Sequence, residues 1–279
     1  MSTVQISAAD VNKLRQQTGA GMMDCKKALV ESNGDFEAAV DFLRKKGAKV
    51  AASRQDRESK EGVVISRTSN DGTQGVIIEL NCETDFVAKN AEFIAFANGI
   101  AHVAVEKFPD TLEELLELSI EGEKISDSII SNTGKIGEKI GVSKYVKLVG
   151  EKVVPYIHGN YRLGVLVALS QNEEGVEEAG KDVAMQIAAM NPVALDKQDV
   201  DTRTIEREME IAKEQIRAEG KPEEMLEKIA AGKLNKFYKE STLLNQEYVK
   251  DSSKDIRAYL NGVSKGLTVT AFKRVVLGE

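Results

Sequence analysis

One order of elements appears twice along this chain, and it limits the fold more than any other feature. "GVVISRTS", a turn at Asn70-Asp71-Gly72 and "TQGVIIELN" read as a β-hairpin, and a helix through Phe93, Ile94, Ala97, Ile100 and Ala101 follows it. Further on, "VVPYIH", a turn at Gly159-Asn160 and "YRLGVLVALS" repeat the hairpin, and Val183, Ile187 and Met190 mark the next helix. Residue identities do not repeat, but the order does. Two related subdomains, each a small antiparallel sheet with helices on one side, account for it, so the expected class is α+β.

The rest of the chain is arranged around those two units. Residues 1–47 read as a three-helix bundle. Ser7 and Asp10 form a capping box ahead of Val11 and Leu14, Gly19 ends the first helix, a second begins near Met23, and Asp35 caps a third that Gly47 is expected to stop. The charged, weakly periodic 48–61 is expected to be a linker. Subdomain N spans 62–141, with "TLEELLELSI" and "EKISDSIISNTGKIGEKI" helical. Subdomain C begins at 142 with "VSKYVKLVG", expected as a third strand of the second sheet, and runs to 198.

Residues 199–240 read as a helical hairpin. Ile205, Met209, Ala212 and Ile216 fall at helical spacing on a charged segment, "EGKP" turns the chain, and Met225, Leu226, Ile229 and Phe237 mark the return. Residues 241–279 return to subdomain C with a capped helix from about Ser253 to Val263 and a final strand.

Composition narrows the function. The chain has 279 residues, 38 Lys and Arg against 45 Asp and Glu, and a formal charge of −7, which argues against a general nucleic-acid binder. Arg44, Lys45, Lys46, Lys49 and Arg54 form a local basic run that reads first as a solvated helix end. No apolar stretch is long enough to span a membrane and the start has no signal pattern, so a cytoplasmic protein is expected. Cys25 and Cys82 have no CxxC partners and read as buried, reduced thiols.

No catalytic constellation emerges. His102 lies in the apolar "GIAHVAV" and reads as a hydrogen-bonded core or boundary residue; His158 precedes a turn, where either turn geometry or a partner contact explains it. "TGAGMMDCKK" fails as a phosphate loop, because Cys25 precedes Lys26, Lys27 stands where Ser or Thr is needed, and a helix precedes it. Neither direct nucleotide binding nor a cofactor is expected. Glu83 and Asp85 offer too few oxygens for Mg²⁺ or Ca²⁺. An interaction protein is the leading class.

"LRQQTGAGMMDCKKALVESNGDFEAAVDFLRKKG" at 14–47 and "ELNCETDFVAKNAEFIAFA" at 79–97 closely resemble the two signature regions of the elongation factor Ts family. That family comprises the guanine-nucleotide exchange factors of elongation factor Tu in bacterial translation. "HGNYRLGVLV" and the closing "VTAFKRVVLGE" also look like the family, and the match is colinear over essentially the whole chain. The resemblance implies that the bundle is similar to ubiquitin-associated domains and that the 199–240 arm is a dimerisation element, with its seam as the contact.

It also implies roles for residues. Thr84, Asp85, Phe86 and Val87 match the segment that enters the partner's GTPase domain near the nucleotide's Mg²⁺ and helps to dislodge it. Arg15, Met22, Met23 and Lys26 match contacts with the nucleotide-binding domain, although one methionine could equally pack the bundle. His158 and Gly159 match a contact at the second hairpin tip, and "EYVKD" around Val249 a further one, with Lys250 replacing an apolar residue of some members. The sequence ends just past its final strand, so the extra C-terminal helix of some members is not expected.

The residues alone leave another use for Phe86 open, since it could staple the helix carrying Phe93 and Ile94 to the sheet. An alternative to exchange is an adaptor or scaffold that uses the bundle and the arm.

Overall fold

The structure is a computed structural model that describes residues 5–220 and 222–279. It is mixed helix and sheet. The elements in order are α1 (Ala8–Thr18), α2 (Met22–Glu31), α3 (Phe36–Ser53), β1 (Glu61–Thr68), β2 (Gln74–Cys82), α4 (Asp85–Ala88), α5 (Ala91–Lys107), α6 (Leu112–Glu117), β3 (Ser119–Ile120), β4 (Glu123–Lys124) and α7 (Ile125–Ile136). They continue with β5 (Gly141–Val149), β6 (Lys152–His158), β7 (Leu163–Leu169), α8 (Val176–Met190), α9 (Thr202–Ala218), α10 (Leu226–Ser241), β8 (Glu247–Tyr248), β9 (Asp251–Asp255), α11 (Ile256–Val263) and β10 (Val269–Val276).

The chain divides into two compact units. One holds residues 1–65, 78–145 and 277–279, the other 66–77 and 146–276. The boundaries expected at 47 and 61 both fall inside the first unit.

In the first unit, α1 to α3 enclose a small core of Val11, Leu14, Cys25, Ala28, Leu29 and Ala39. Both expected caps form: Ser7 and Asp10 make a capping box, and Asp35 accepts from Ala38 N at 3.0 Å. The third helix does not stop at Gly47. It runs to Ser53, through the first residues of the expected linker, because Gly47 is buried where α3 packs on α7 and tertiary contact outweighs glycine's poor helix propensity. Beyond the bundle, Phe93, Ala97, Ile100, Ala101, Ala104 and Val105 line the buried face of α5. His102 is on the opposite, exposed face, 3.3 Å from Glu106 Oε1, which corrects the expected core or boundary position. The helical spacing that favoured burial belongs to its neighbours.

Strands β1, β2 and β5 form one three-stranded sheet with β2 central, and β10, β7 and β6 form the other with β7 central. The segment "VSKYVKLVG" was expected in the second sheet; as β5 it belongs to the first. The link Gly150-Glu151 looks like a hairpin turn, but Gly150 N donates to Thr73 O at 3.0 Å and Val153 N to Gly72 O at 2.6 Å, so the backbone of this link and of the start of β6 bonds to the β1–β2 turn instead. The third strand of the second sheet is β10, which pairs antiparallel with β7 from Val269↔Leu169 to Val276↔Leu163. The β6–β7 hairpin forms in the register Lys152↔Leu169 to His158↔Leu163. Every residue of β7 is buried, as a central strand covered by α8 requires.

In the second unit, Val165, Val167 and Leu169 of β7 pack with Val183 and Ile187 of α8 and with Ile256 and Leu260 of α11. The closing helix starts at Ile256 behind an Asp255 cap rather than near Ser253, because 251–255 pair as β9. Helices α9 and α10 form the expected arm. Lys221, within the expected turn, lies outside the described residues. The arm's seam closes on itself: Ala212 and Ile216 are buried against Leu226 and Ala230, with Met209 and Ile229 beside them. Within the chain this seam is filled by its own return helix.

Candidate functional site

The segment Thr84–Val87 is a single helical turn on its own. Thr84 is the N-cap of α4, its Oγ1 accepting from Val87 N at 3.4 Å, and the turn ends at Lys89 because Asn90 opens a new helix by accepting from Glu92 N at 2.8 Å. That break separates Phe86 from the face of Phe93. Its ring is 82% exposed, so the stapling alternative does not hold.

Polar groups anchor the turn from beneath. Glu138, just past the Gly137 cap of α7, accepts from Glu83 N (3.1 Å), Thr84 N (3.0 Å) and Thr84 Oγ1 (2.7 Å). Glu83 accepts from Lys139 N at 2.7 Å and is bridged by Arg54 at 2.9 Å and Arg57 at 3.0 Å. Burial opposes charge on Glu83, but the donors from Lys139, Arg57 and Arg54 outweigh it and hold its carboxyl below the usual range. Cys82 donates to Thr84 O at 3.1 Å. Burial first, and the Glu138 charge second, push its thiol up to about 12. Asp85 faces solvent and pairs with Lys89 at 2.6 Å, a bond that lowers its pKa.

The bundle presents a second surface in the same unit. Arg15, Met22, Met23 and Lys26 are all exposed, Met23 by 74%, while Cys25, Ala28 and Leu29 fill the core. Neither methionine packs the bundle. Val30, four residues beyond Lys26 on α2, is also exposed and extends this apolar face; the helical period from Met23 and Lys26 was the available signal. Within the basic run Arg44 pairs with Glu123 at 3.0 Å, Lys46 with Asp24, and Arg54 with Glu83.

The second unit carries His158, Gly159 and Val249. His158 ends β6, exposed, with Nδ1 2.9 Å from Tyr156 Oη. Gly159, Asn160 and Tyr161 all take positive φ, 61°, 52° and 66°, a run that glycine and asparagine tolerate best. Val249 projects between β8 and β9. Its N donates to Gln186 Oε1 at 2.9 Å, and Gln186 is fully buried.

Asp182 lies beneath the Val249 loop and takes Lys250 Nζ at 2.6 Å, Tyr248 Oη at 2.7 Å and Tyr259 Oη at 2.8 Å. Lys250, the departure noted in the sequence, thus pairs with a half-buried carboxylate. Asp182 and Gln186 were not singled out from sequence, where they look like ordinary polar positions of an amphipathic helix. Glu138 was missed too, but Val87 at the third helical position, where a capping box needs Glu or Gln, signals that the box is completed from elsewhere. Among the described residues, no group of His, Cys, Asp and Glu could hold a metal ion, and no helix is long and apolar enough to cross a membrane.

Fold and surface together define an α+β protein whose candidate sites are apolar groups projecting from anchored turns and helix faces. Comparison with known proteins supplies the family. The sequence model described as Elongation factor TS matches residues 83–279. The chain is 60% identical to "Elongation factor Ts" of Cytophaga hutchinsonii over 99% of its own length and 100% of that protein's. It is 52% identical to that of Christiangramia forsetii and 53% to that of Flavobacterium psychrophilum, each over 98% of this chain and 99% of the relative. The chain belongs to the elongation factor Ts family of translation elongation factors.

Proposed function

We propose that this chain binds elongation factor Tu in its GDP form and promotes GDP release, placing Thr84–Val87 near the nucleotide's Mg²⁺ so that GTP can reload. The observation that carries this reading is Phe86, a large apolar ring held in solvent on an anchored turn. A diphosphate is bound largely through its metal and phosphate-binding loop, so small displacements of their supports weaken it strongly. An aromatic wedge between packed elements moves them to another discrete arrangement rather than deforming them gradually. By linkage, nucleotide must weaken factor binding by the ratio in which the factor weakens nucleotide binding, so reloading releases the factor.

Arg15, Met22, Met23 and Lys26 are the docking face for the nucleotide-binding domain, and His158, Gly159 and Val249 are contacts of the second unit. The protein supplies no bond-making chemistry and works in the cytoplasm. With the arm's seam filled, a homodimer through 199–240 would use its outer face of Ile211, Leu234 and Phe237, a groove flanked by Glu208, Glu240, Lys233 and Lys236.

The test is stopped-flow release of a fluorescent GDP analogue from elongation factor Tu, with the intact chain and with Phe86→Ala. Acceleration by the intact chain and a much slower, folded Phe86→Ala supports the wedge. No acceleration by either overturns the exchange reading; equal acceleration removes Phe86 from it.

A further inference from the structure

We propose that Glu138 is the positioning residue of the Thr84–Val87 turn, acting on exchange through the direction of Phe86. This rests on the exchange reading above.

In a capping box the N-cap side chain bonds the third helical N–H, and the side chain at that third position bonds back to the N-cap N–H. Thr84 provides the first half to Val87 N. Val87 cannot provide the second. Glu138 does so from 54 positions away, taking Thr84 N at 3.0 Å and adding Glu83 N and Thr84 Oγ1. The third position of the turn is thereby free to carry an apolar side chain in a motif that faces outward.

The clamp is reciprocal. Glu138 accepts from Glu83 N, while Lys139 N donates to the Glu83 carboxylate at 2.7 Å. Lys139 Nζ bonds Gln55 O at 2.7 Å and Arg57 O at 2.9 Å, tying the same strip to the segment that supplies Arg54 and Arg57. The backbone before Phe86 is therefore held on both sides by residues far away in sequence.

Phe86 is the most exposed large apolar side chain among the described residues. A ring in solvent has no packing of its own to set its direction, so it inherits that direction from the backbone of the turn. Geometry errors near 1 Å at a working site cost on the order of a hundredfold, so a loosened turn acts on the rate even when the fold survives.

The experiment compares Glu138→Ala and Glu138→Gln, each alone and combined with Phe86→Ala, in full-length protein. It reads the exchange rate at saturating factor, the concentration at half-saturation and thermal unfolding. Glu138→Ala should lower the saturating rate by about tenfold or more, with a half-saturation shift below about threefold. Glu138→Gln, whose amide oxygen still accepts, should retain part of the rate and provides the answer if the alanine variant does not fold. In the Phe86→Ala background, loss of Glu138 should add no further loss of rate, the non-additivity expected of two residues acting as one unit.

An unchanged saturating rate in a folded Glu138 variant, or the same fold-loss with and without Phe86, overturns the positioning role. Failure of the unmodified chain to accelerate release overturns the exchange reading and this one together. Acceleration with indifferent Glu138 variants removes only the positioning role.

Discussion

Gly47 of α3 and Gly134 of α7 meet with no side chain between them: a Cβ placed on Gly134 would lie 2.3 Å from the Gly47 Cα, whereas one on Gly47 would sit 3.6 Å from the Gly134 Cα. The two backbones touch at this crossing, and the contact is asymmetric.

Gly134→Ala should therefore destabilise the protein by about 1–3 kcal/mol, because the methyl meets backbone that can only move as a helix. Gly47→Ala finds ordinary van der Waals contact in the middle of a helix. It should be neutral or stabilising by up to about 1 kcal/mol. Urea denaturation of both variants checks the pair, and similar losses in each would refute the asymmetry.

Phe86→Ala should separate stability from function. Its ring is 82% exposed, so the unfolding free energy should stay within about 0.5 kcal/mol of the parent. A drop of several kcal/mol in a denaturation curve would mean that the ring packs in solution and that the turn is not presented.

Asp182 predicts an acid-sensitive stability. Burial opposes its charge, but the bonds from Lys250, Tyr248 and Tyr259 outweigh that and hold its carboxyl below the usual aspartate value. A lowered folded pKa stabilises the protein above the unfolded value near 3.9, and the benefit is lost as pH falls through the folded value. Asp182→Asn should cost about 1–3 kcal/mol at pH 7, with its denaturation midpoint converging on the parent's as the pH falls below the unfolded aspartate value. Burial and the Asp182 carboxylate raise the pKa of Tyr248 and Tyr259, which stabilises the protein below about pH 10 and fades above it. Midpoints that stay parallel down to acid would rule out Asp182 as the source.

The arm should respond unequally on its two faces. Ile216 is fully buried between α9 and α10, and Ile216→Ala should cost the arm about 2–5 kcal/mol, read as faster amide exchange confined to 202–241. Ile211 is exposed, and Ile211→Glu should leave the arm folded while weakening self-association. Sedimentation equilibrium in the micromolar range measures the second effect, and a parent that is monomeric throughout would exclude the dimer.

Much of this was legible along the chain. The capping box at Ser7 and Asp10, the Asp35 cap, both hairpins and the α9–α10 pair rest on contacts within a few residues or on strict periodicity, and those signals survive folding. Two of the readings that failed lacked a partner from elsewhere. Gly47 reads as a stop in the sequence but is covered by α7, and "VSKYVKLVG" reads as a neighbour of β6, whereas Gly150 N and Val153 N bond to Thr73 and Gly72. At the site, the motif residues could be named in order, but neither the solvent exposure of Phe86 nor the Glu138 clamp could be seen.

Local pattern and family signature were enough to place the helices, the hairpins, the arm and the segment Thr84–Val87, because caps, turns and periodicity act over a few residues. Tertiary structure alone decided which sheet β5 joins, which way Phe86 faces, and which distant carboxylate closes its turn. Those outcomes depend on backbone amides and glycine surfaces meeting across tens of residues, and a linear pattern does not encode which of several chemically equivalent partners arrives.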